Sequence, residues 1–347
     1  MLWSVIQIGL LVYLGLLALI YFKQDALVFQ PAMDREFLST PTAIGLAFEP
    51  LTLATADGET LDGWHVPAKP GMPARGLVIV FHGNAGNISH RLDYLRMFYD
   101  LGFASLIIDY RGYGRSSGKA SEEGSYADAD TAWRHATQRL GYPAKRIVLF
   151  GESLGGAVAT QLAVVKQPAA LVLASTFTSV PDLGAEIYPW LPIRLLARIR
   201  YDSHERLAAI KSPILVIHSR QDDIIPFAHG ERLYAAANPP KRFLEIAGGH
   251  NEGFVFGREA WVRELDDFLR SAFTPPGKSN ARGGSPVSRV APARLEQVDE
   301  QAHAQRKVAA LRHHCVDAYR RCGKFVKHRH QPPGLDVGPD LPKRTPG

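Results

Sequence analysis

Six residues, Gly151-Glu152-Ser153-Leu154-Gly155-Gly156, stand between an apolar run, Ile147–Phe150, and a helical pattern that opens at Leu154. A G-x-S-x-G sequence joining a strand to a helix forces a sharp, strained turn that pushes the serine outward. The glycines are needed because the flanking backbones must approach closely. The serine hydroxyl then sits at a helix N-terminus, where the helix dipole and free N–H groups favour developing negative charge. Elsewhere the same residues would be no more than a glycine-rich turn. Between a strand and a helix they mark Ser153 as a nucleophile.

The rest of the chain supplies a scaffold for such a turn. Leu51–Ala56 alternates apolar and polar residues, Asp57-Gly58 gives a turn, and Leu61–Val66 follows, which predicts an antiparallel hairpin. Leu77–Phe81 is continuously apolar, as suits a strand buried on both faces of a parallel sheet. Further strands are expected at Ala104–Asp109, Ile147–Phe150, Leu171–Ala174, Ile214–His218 and Phe243–Ile246. Helices are expected at Ser89–Leu101, Glu122–Leu140, Leu154–Val165, Phe227–Ala237 and Arg258–Phe273. Repeated βα units of this size imply a doubly wound, mostly parallel α/β sheet, with the chemistry just beyond the carboxyl ends of its strands.

Three strand-end loops carry the candidates. An acyl-transfer site needs N–H donors for an oxyanion, one from the residue after the nucleophile and one from a loop after an early strand. Leu154 fills the first place. The backbone of Asn84 fills the second, in His82-Gly83-Asn84-Ala85-Gly86-Asn87, with Ala85 as its neighbouring alternative. His82 itself reads as a structural histidine buried under the loop. Downstream, Asp222 and Asp223 follow the strand Ile214–His218, one as the acid and the other as a solvated loop charge. Gly248-Gly249-His250-Asn251 follows the strand that ends at Ile246. Ser153 as nucleophile, Asp222 as orienting acid and His250 as base form an order in which each residue occupies one loop. His218 and His229 are expected to be structural or surface histidines.

These blocks, with Asp109-Tyr110-Arg111-Gly112-Tyr113-Gly114 and Tyr188-Pro189-Trp190-Leu191-Pro192, resemble the N-terminally anchored abhydrolase-domain proteins of the bud-emergence-homologue type. That is a branch of the α/β-hydrolase superfamily. The resemblance covers roughly residues 1–272. It implies an α/β-hydrolase fold, and it selects Asp222, the fourth residue after the histidine that ends its strand, over Asp223. Members of related branches act as carboxylesterases, protein depalmitoylases or peptidases, and the resemblance implies that range without choosing within it. A serine at the elbow points to acyl transfer, and no metal or nucleotide motif interrupts the core, so no cofactor is expected.

Leu2 to Phe22 contains no charged residue, and Lys23 closes the run. As a helix it spans about 31 Å, close to the ~30 Å hydrocarbon core of a bilayer. Residues 1–22 are therefore expected to be a single-pass anchor rather than a signal peptide, which needs a basic lead, a shorter core and a small-residue cleavage site. Lys23 and Arg35 follow the segment and no Lys or Arg precedes it, a slight bias towards a cytoplasmic body. Residues 23–50, with Pro31, Pro41 and Pro50, read as a linker, and 51–273 as the hydrolase domain. Within that domain 177–207 form an apolar lid. Tyr188, Trp190 and Leu191 of the lid are expected to line the substrate pocket.

The tail, 274–347, departs from the family pattern. It holds 14 Lys and Arg against 6 Asp and Glu, while the rest of the chain holds 26 against 28. The net charge of +6 thus belongs to a basic tail expected to be disordered, and the body carries no footprint for nucleic acid. The tail's His313-His314-Cys315 and Cys322 match no compact zinc finger. The expected partners are the bilayer and an acyl ester or thioester of medium or long chain. A serine peptidase and a catalytically silent binding protein of the same fold are the alternatives.

Overall fold

The computed structural model describes residues 2–71, 73–251 and 258–273, together with the backbone of 287–289. Among the described residues nine strands form one sheet: β1 (Glu49–Ala54), β2 (Thr60–Val66), β3 (Leu77–Phe81), β4 (Ala104–Ile108), β5 (Ile147–Glu152), β6 (Ala170–Ala174), β7 (Ile214–Ser219), β8 (Lys241–Ile246) and β9 (Val287–Arg289). Their order is β1-β2-β4-β3-β5-β6-β7-β8-β9. Only β1–β2 and β2–β4 pair antiparallel; all other pairs are parallel.

The parallel strands are the continuously apolar ones because helices cover both faces of the sheet. Leu77, Ile79 and Phe81 of β3 join one core and Val78 and Val80 the other. The first core is closed by α4 (Glu122–Arg134), α5 (Leu154–Lys166) and α9 (Phe227–Ala236). The second is closed by α3 (Leu92–Asp100) and α10 (Arg258–Phe273). Each fully buried Val, Leu, Ile or Phe contributes about 1.5–3 kcal/mol, so these two layers hold the fold without a disulfide.

The hairpin read from Asp57-Gly58 forms as expected. Gly58 takes a φ of 93°, and Thr55 N–H donates to the Glu59 carbonyl at 2.9 Å. The predicted helix 122–140 is α4 followed by a wider turn over His135–Arg139. Helix α3 begins later than the pattern suggested, because Asn87 first caps a short turn over Ile88–His90.

After β3 the chain moves outward to β4 and then returns to the other side of β3 as β5. This reversal is the switch point at which ligands bind open α/β sheets. The loops after β3 and β5 both stand there.

Residues 23–50 are not a linker. They form α2 (Gln24–Val28), an extended stretch and a turn over Pro41–Ile44, and they pack on the body. Phe29 and Leu46 are buried, and the Phe37 ring meets Trp64 edge-on at 5.9 Å. Polar side chains satisfy the extended backbone. Asn87 Nδ2 donates to the Arg35 and Glu36 carbonyls, and Ser89 Oγ accepts from Leu38 N–H at 2.9 Å. The prolines mark an extended strap, not a free tether.

The lid between β6 and β7 is built from α6 (Val180–Ile187), α7 (Ile193–Leu196) and α8 (Ser203–Leu207). Ahead of the body, α1 (Leu2–Phe22) is an apolar helix of 21 residues, long enough to cross a membrane. The tail read over 274–347 lies outside the described residues, apart from β9.

Candidate active site

Ser153 stands between β5 and α5 with a φ of 51° and ψ of −119°, a conformation that costs a non-glycine residue roughly 1–3 kcal/mol. The surroundings impose it. Ser153 N–H donates to the Ala174 carbonyl at 2.9 Å, and the Ser153 carbonyl accepts from Thr176 Oγ1 at 2.6 Å. A Cβ on Gly151 would strike the Gly155 carbonyl, and one on Gly155 the Phe81 carbonyl. These two glycines are required by contact. Thr176, which fixes the elbow's carbonyl, carries no signal in the sequence.

His250, in the loop after β8, places Nε2 at 3.1 Å from Ser153 Oγ. Its Nδ1 lies 2.9 and 3.0 Å from the two carboxylate oxygens of Asp222. The Asp222 side chain is fully covered. Burial tends to raise its pKa, but the hydrogen bond and charge of His250, with the N–H groups of Ile225 and Ile224, outweigh it. The carboxyl therefore titrates below its ordinary range. An ionised carboxylate only accepts, so Nδ1 carries the proton and Nε2 is free to accept from the serine. Asp223 is placed differently, accepting from the backbone N–H of His250 at 3.0 Å. The structure thus brings together the three residues named from sequence.

The loop after β3 passes close by, and a Cβ on Gly83 would lie 3.3 Å from Ser153 Cβ. The Asn84 side chain is fully engaged, donating to the Val28 carbonyl at 2.7 Å and accepting from Gln30 N–H and the Tyr113 hydroxyl. Ala85 and Gly86 then turn left-handed, at φ 73° and 68°. Among the described residues, the N–H groups of Asn84 and Leu154 have no protein acceptor, and both residues line the cavity above Ser153. This leaves both donors available to an oxyanion.

The three histidines set aside from the triad in the sequence stand apart. His82 is fully buried, with Nδ1 2.8 Å from the Gly83 carbonyl, and burial together with the charge of Arg91 lowers its pKa to about 3. His218 lies behind Asp222, with Nε2 3.5 Å from its Oδ2 and 3.0 Å from the Ile225 carbonyl. His229 is buried beneath the lid, where Nδ1 accepts from Thr178 N–H at 3.1 Å. None of the three lines the cavity.

The cavity above Ser153 has a volume of about 1020 Å³. Tyr188, Trp190 and Leu191 all line it, Leu191 buried and the two aromatic residues largely exposed. Two contributions were not legible in sequence. Ile20, Leu27 and Val28 reach it from the N-terminal segment, and Arg91 and Glu152, 3.1 Å apart, form a polar side next to the nucleophile.

Residues 72–203 match the family model described as serine aminopeptidase, S33. An Arabidopsis thaliana relative, the alpha/beta hydrolase domain-containing protein WAV2, is 33% identical over 285 residues, covering 75% of this chain and 92% of its own. The chain belongs to the α/β-hydrolase family. Protein bem46 of Schizosaccharomyces pombe is 35% identical over 228 residues, covering 63% of this chain and 76% of its own, so this α/β hydrolase falls in the branch its motifs resemble. Among solved structures, the Pyrococcus furiosus esterase Pf2001 superposes with a TM-score of 0.57 at 21% identity, covering 67% of this chain and 94% of that one. An α/β hydrolase from Vibrio vulnificus gives 0.59 at 19%, covering 73% and 93%. Those two likenesses concern the fold.

Proposed function

We propose that this α/β hydrolase is a serine hydrolase that cleaves carboxylic esters or thioesters of medium or long acyl chains, held at a membrane by α1. The observation that carries the reading is the relay from Asp222 through His250 to Ser153, with spacings of 2.9 and 3.1 Å, at the base of a cavity walled by apolar side chains.

In this mechanism Ser153 Oγ attacks the acyl carbon while His250 Nε2 takes its proton. Asp222 holds the Nδ1 proton and stabilises the imidazolium. The oxyanion accepts from the N–H groups of Leu154 and Asn84, at the N-terminus of α5 and in the loop after β3. Collapse of the tetrahedral intermediate expels the alcohol or thiol, which leaves with the proton from His250. Water, activated by the same imidazole, then releases the acid from the acyl-enzyme.

The acyl preference rests on the lid. Leu183, Ile187, Trp190, Leu191 and Ile193 form one apolar wall, and Tyr188 continues it. A peptidase reading, named by the family model, fits this wall less well than an acyl chain does. Retention of α1 as an anchor is supported by its contact with the body, for Tyr13 hydrogen-bonds to the Trp190 carbonyl of the lid, and Gln24 at the start of α2 continues the contact at the Leu196 carbonyl.

A fluorophosphonate probe tests the nucleophile. Wild type is expected to label and Ser153→Ala to stay unlabelled, and equal labelling of the two would remove Ser153 from the mechanism. A series of p-nitrophenyl esters tests the chain length, with octanoyl expected to exceed acetyl in kcat/KM. Equal turnover would count against the lid as an acyl pocket.

A further inference from the structure

No residue of α1 is buried, and on its second half one face alone is partly covered. Tyr13, Leu16, Leu17 and Ile20 are half-buried, at spacings of three, four and seven residues, which is a single stripe of a helix. The lid covers that stripe. Tyr13 donates its hydroxyl to the Trp190 carbonyl at 3.2 Å. Eleven residues later, at the other end of the contact, Gln24 donates to the Leu196 carbonyl at 2.7 Å and accepts from Arg198 N–H at 2.7 Å and Ile199 N–H at 3.3 Å. The Arg198 guanidinium lies 5.2 Å over the Tyr21 ring. The lid therefore runs beside the helix from its Phe22 end back to Tyr13. That distance is roughly 13 Å at 1.5 Å per residue, nearly half of the ~30 Å hydrocarbon thickness.

The outer surface of this lid also presents large apolar side chains. Ile187, Tyr188 and Trp190 are 50%, 49% and 60% exposed, and Leu195 is 87% exposed. The neighbouring charge is drawn aside, since Arg194 is held by Asp182 at 3.0 Å in a separate polar cleft. The Trp190 carbonyl, which would be costly to leave bare in hydrocarbon, is the one that Tyr13 satisfies. Trp and Tyr rings are suited to the boundary between headgroups and acyl chains.

The cavity extends to the same place. Ile20 and Leu27 line it from the helical segment, and Ile187 and Trp190 line it from the lid. We propose that lid residues 187–196 are immersed in the membrane leaflet alongside α1, so that the cavity above Ser153 opens into the acyl-chain layer and takes a lipid-borne acyl substrate sideways from the bilayer. The proposal rests on α1 as a retained anchor and on Ser153 as the nucleophile.

Depth is measured on the full chain in phosphatidylcholine vesicles, in a Trp3→Phe background. There Trp190 is the only well-exposed tryptophan, because Trp64, Trp133 and Trp261 are 2%, 6% and 2% exposed. Chain-brominated phosphatidylcholine is expected to quench the Trp190 emission, removed in a Trp190→Phe control, while aqueous iodide is not. Quenching by iodide with none by brominated lipid overturns the proposal. For the substrate route, Leu195→Asp alters the lid surface without lining the cavity. It is expected to leave p-nitrophenyl butyrate turnover within twofold and to lower hydrolysis of 4-methylumbelliferyl palmitate in vesicles at least tenfold. Val165→Asp, at another exposed apolar position near the far end of α5, is expected to change neither rate. An unchanged palmitate rate in Leu195→Asp overturns the entry route. If wild type turns over neither ester, the hydrolase reading fails, and the Trp190 quenching still decides the immersion.

Discussion

Both carboxylate oxygens of Asp222 face Nδ1 of His250, at 2.9 and 3.0 Å, whereas the adjacent Asp223 meets the backbone N–H of the same histidine. The two aspartates differ by one position in the chain and entirely in what they do to the imidazole. Asp222→Asn presents an amide that accepts poorly from Nδ1–H and stabilises no imidazolium, and it is expected to lower kcat by about 10⁴. Asp223→Asn keeps an oxygen that can accept the backbone N–H, so kcat is expected to stay within about threefold. Steady-state hydrolysis of a soluble ester by both variants checks the assignment, and a reversal of the two losses contradicts it.

At the elbow, the closeness of Gly155 to the Phe81 and His82 carbonyls leaves no room for a methyl group. Gly155→Ala is expected to destabilise the fold by about 1–3 kcal/mol through overpacking. For a domain of this size that corresponds to a Tm lower by about 3–10 °C. Differential scanning fluorimetry reads the shift, and an unchanged Tm with full activity would mean the elbow has slack that the contacts deny.

Arg111 bridges two acids of unlike environment. It holds the fully buried Asp128 through its Nε at 2.9 Å and the half-exposed Asp57 at 2.7 Å. Removing the guanidinium strands the Asp128 carboxyl in the core, so Arg111→Ala is expected to cost about 3–5 kcal/mol. Asp57→Ala removes only a solvent-screened partner and is expected to move Tm by no more than about 2 °C. Chemical denaturation of the two variants separates the cases, and equal losses would show that burial is not the deciding difference.

Burial raises the Asp109 carboxyl to about 7, beside the neutral His82, whose Nε2 is 3.5 Å away. In the unfolded chain the same carboxyl titrates near 3.9. Between these two values the native state keeps a proton that the unfolded chain has lost. The contribution of this group is therefore full at low pH, falls by up to about 1.4 kcal/mol per pH unit as pH rises, and is gone above about pH 7. Asp109→Asn keeps an oxygen that accepts from Ile88 N–H, which is 2.9 Å from Oδ1, and removes the titrating proton. The Tm of wild type minus that of Asp109→Asn is expected to shrink steadily from pH 5 to pH 8. A difference independent of pH would place the carboxyl at its ordinary value.

Much of this molecule follows from local pattern. Leu77–Phe81 and Ile214–His218 read as buried strands because continuous apolar runs suit nothing else between turn signals. Ser153 stands out because only glycine tolerates the contacts at 151 and 155. The order serine, aspartate, histidine follows from one loop per strand end. Pattern failed where the deciding partner was distant. The prolines of 23–50 look the same in a free tether and in a strap fastened by Asn84, Asn87 and Ser89 from 50 or more residues away. Nothing near Arg91 announces its pairing with Glu152.

By itself, then, the sequence determined most of the strands, the elbow, the candidate serine and histidine and the length of the apolar helix, because each depends on neighbours within a few positions. The tertiary structure alone decided which aspartate faces the imidazole ring, how β3, β4 and β5 are ordered at the switch point, and that Tyr13 meets Trp190 across 177 residues. Those depend on where separate segments come to rest against one another, and a burial pattern records that a residue is covered without recording by what.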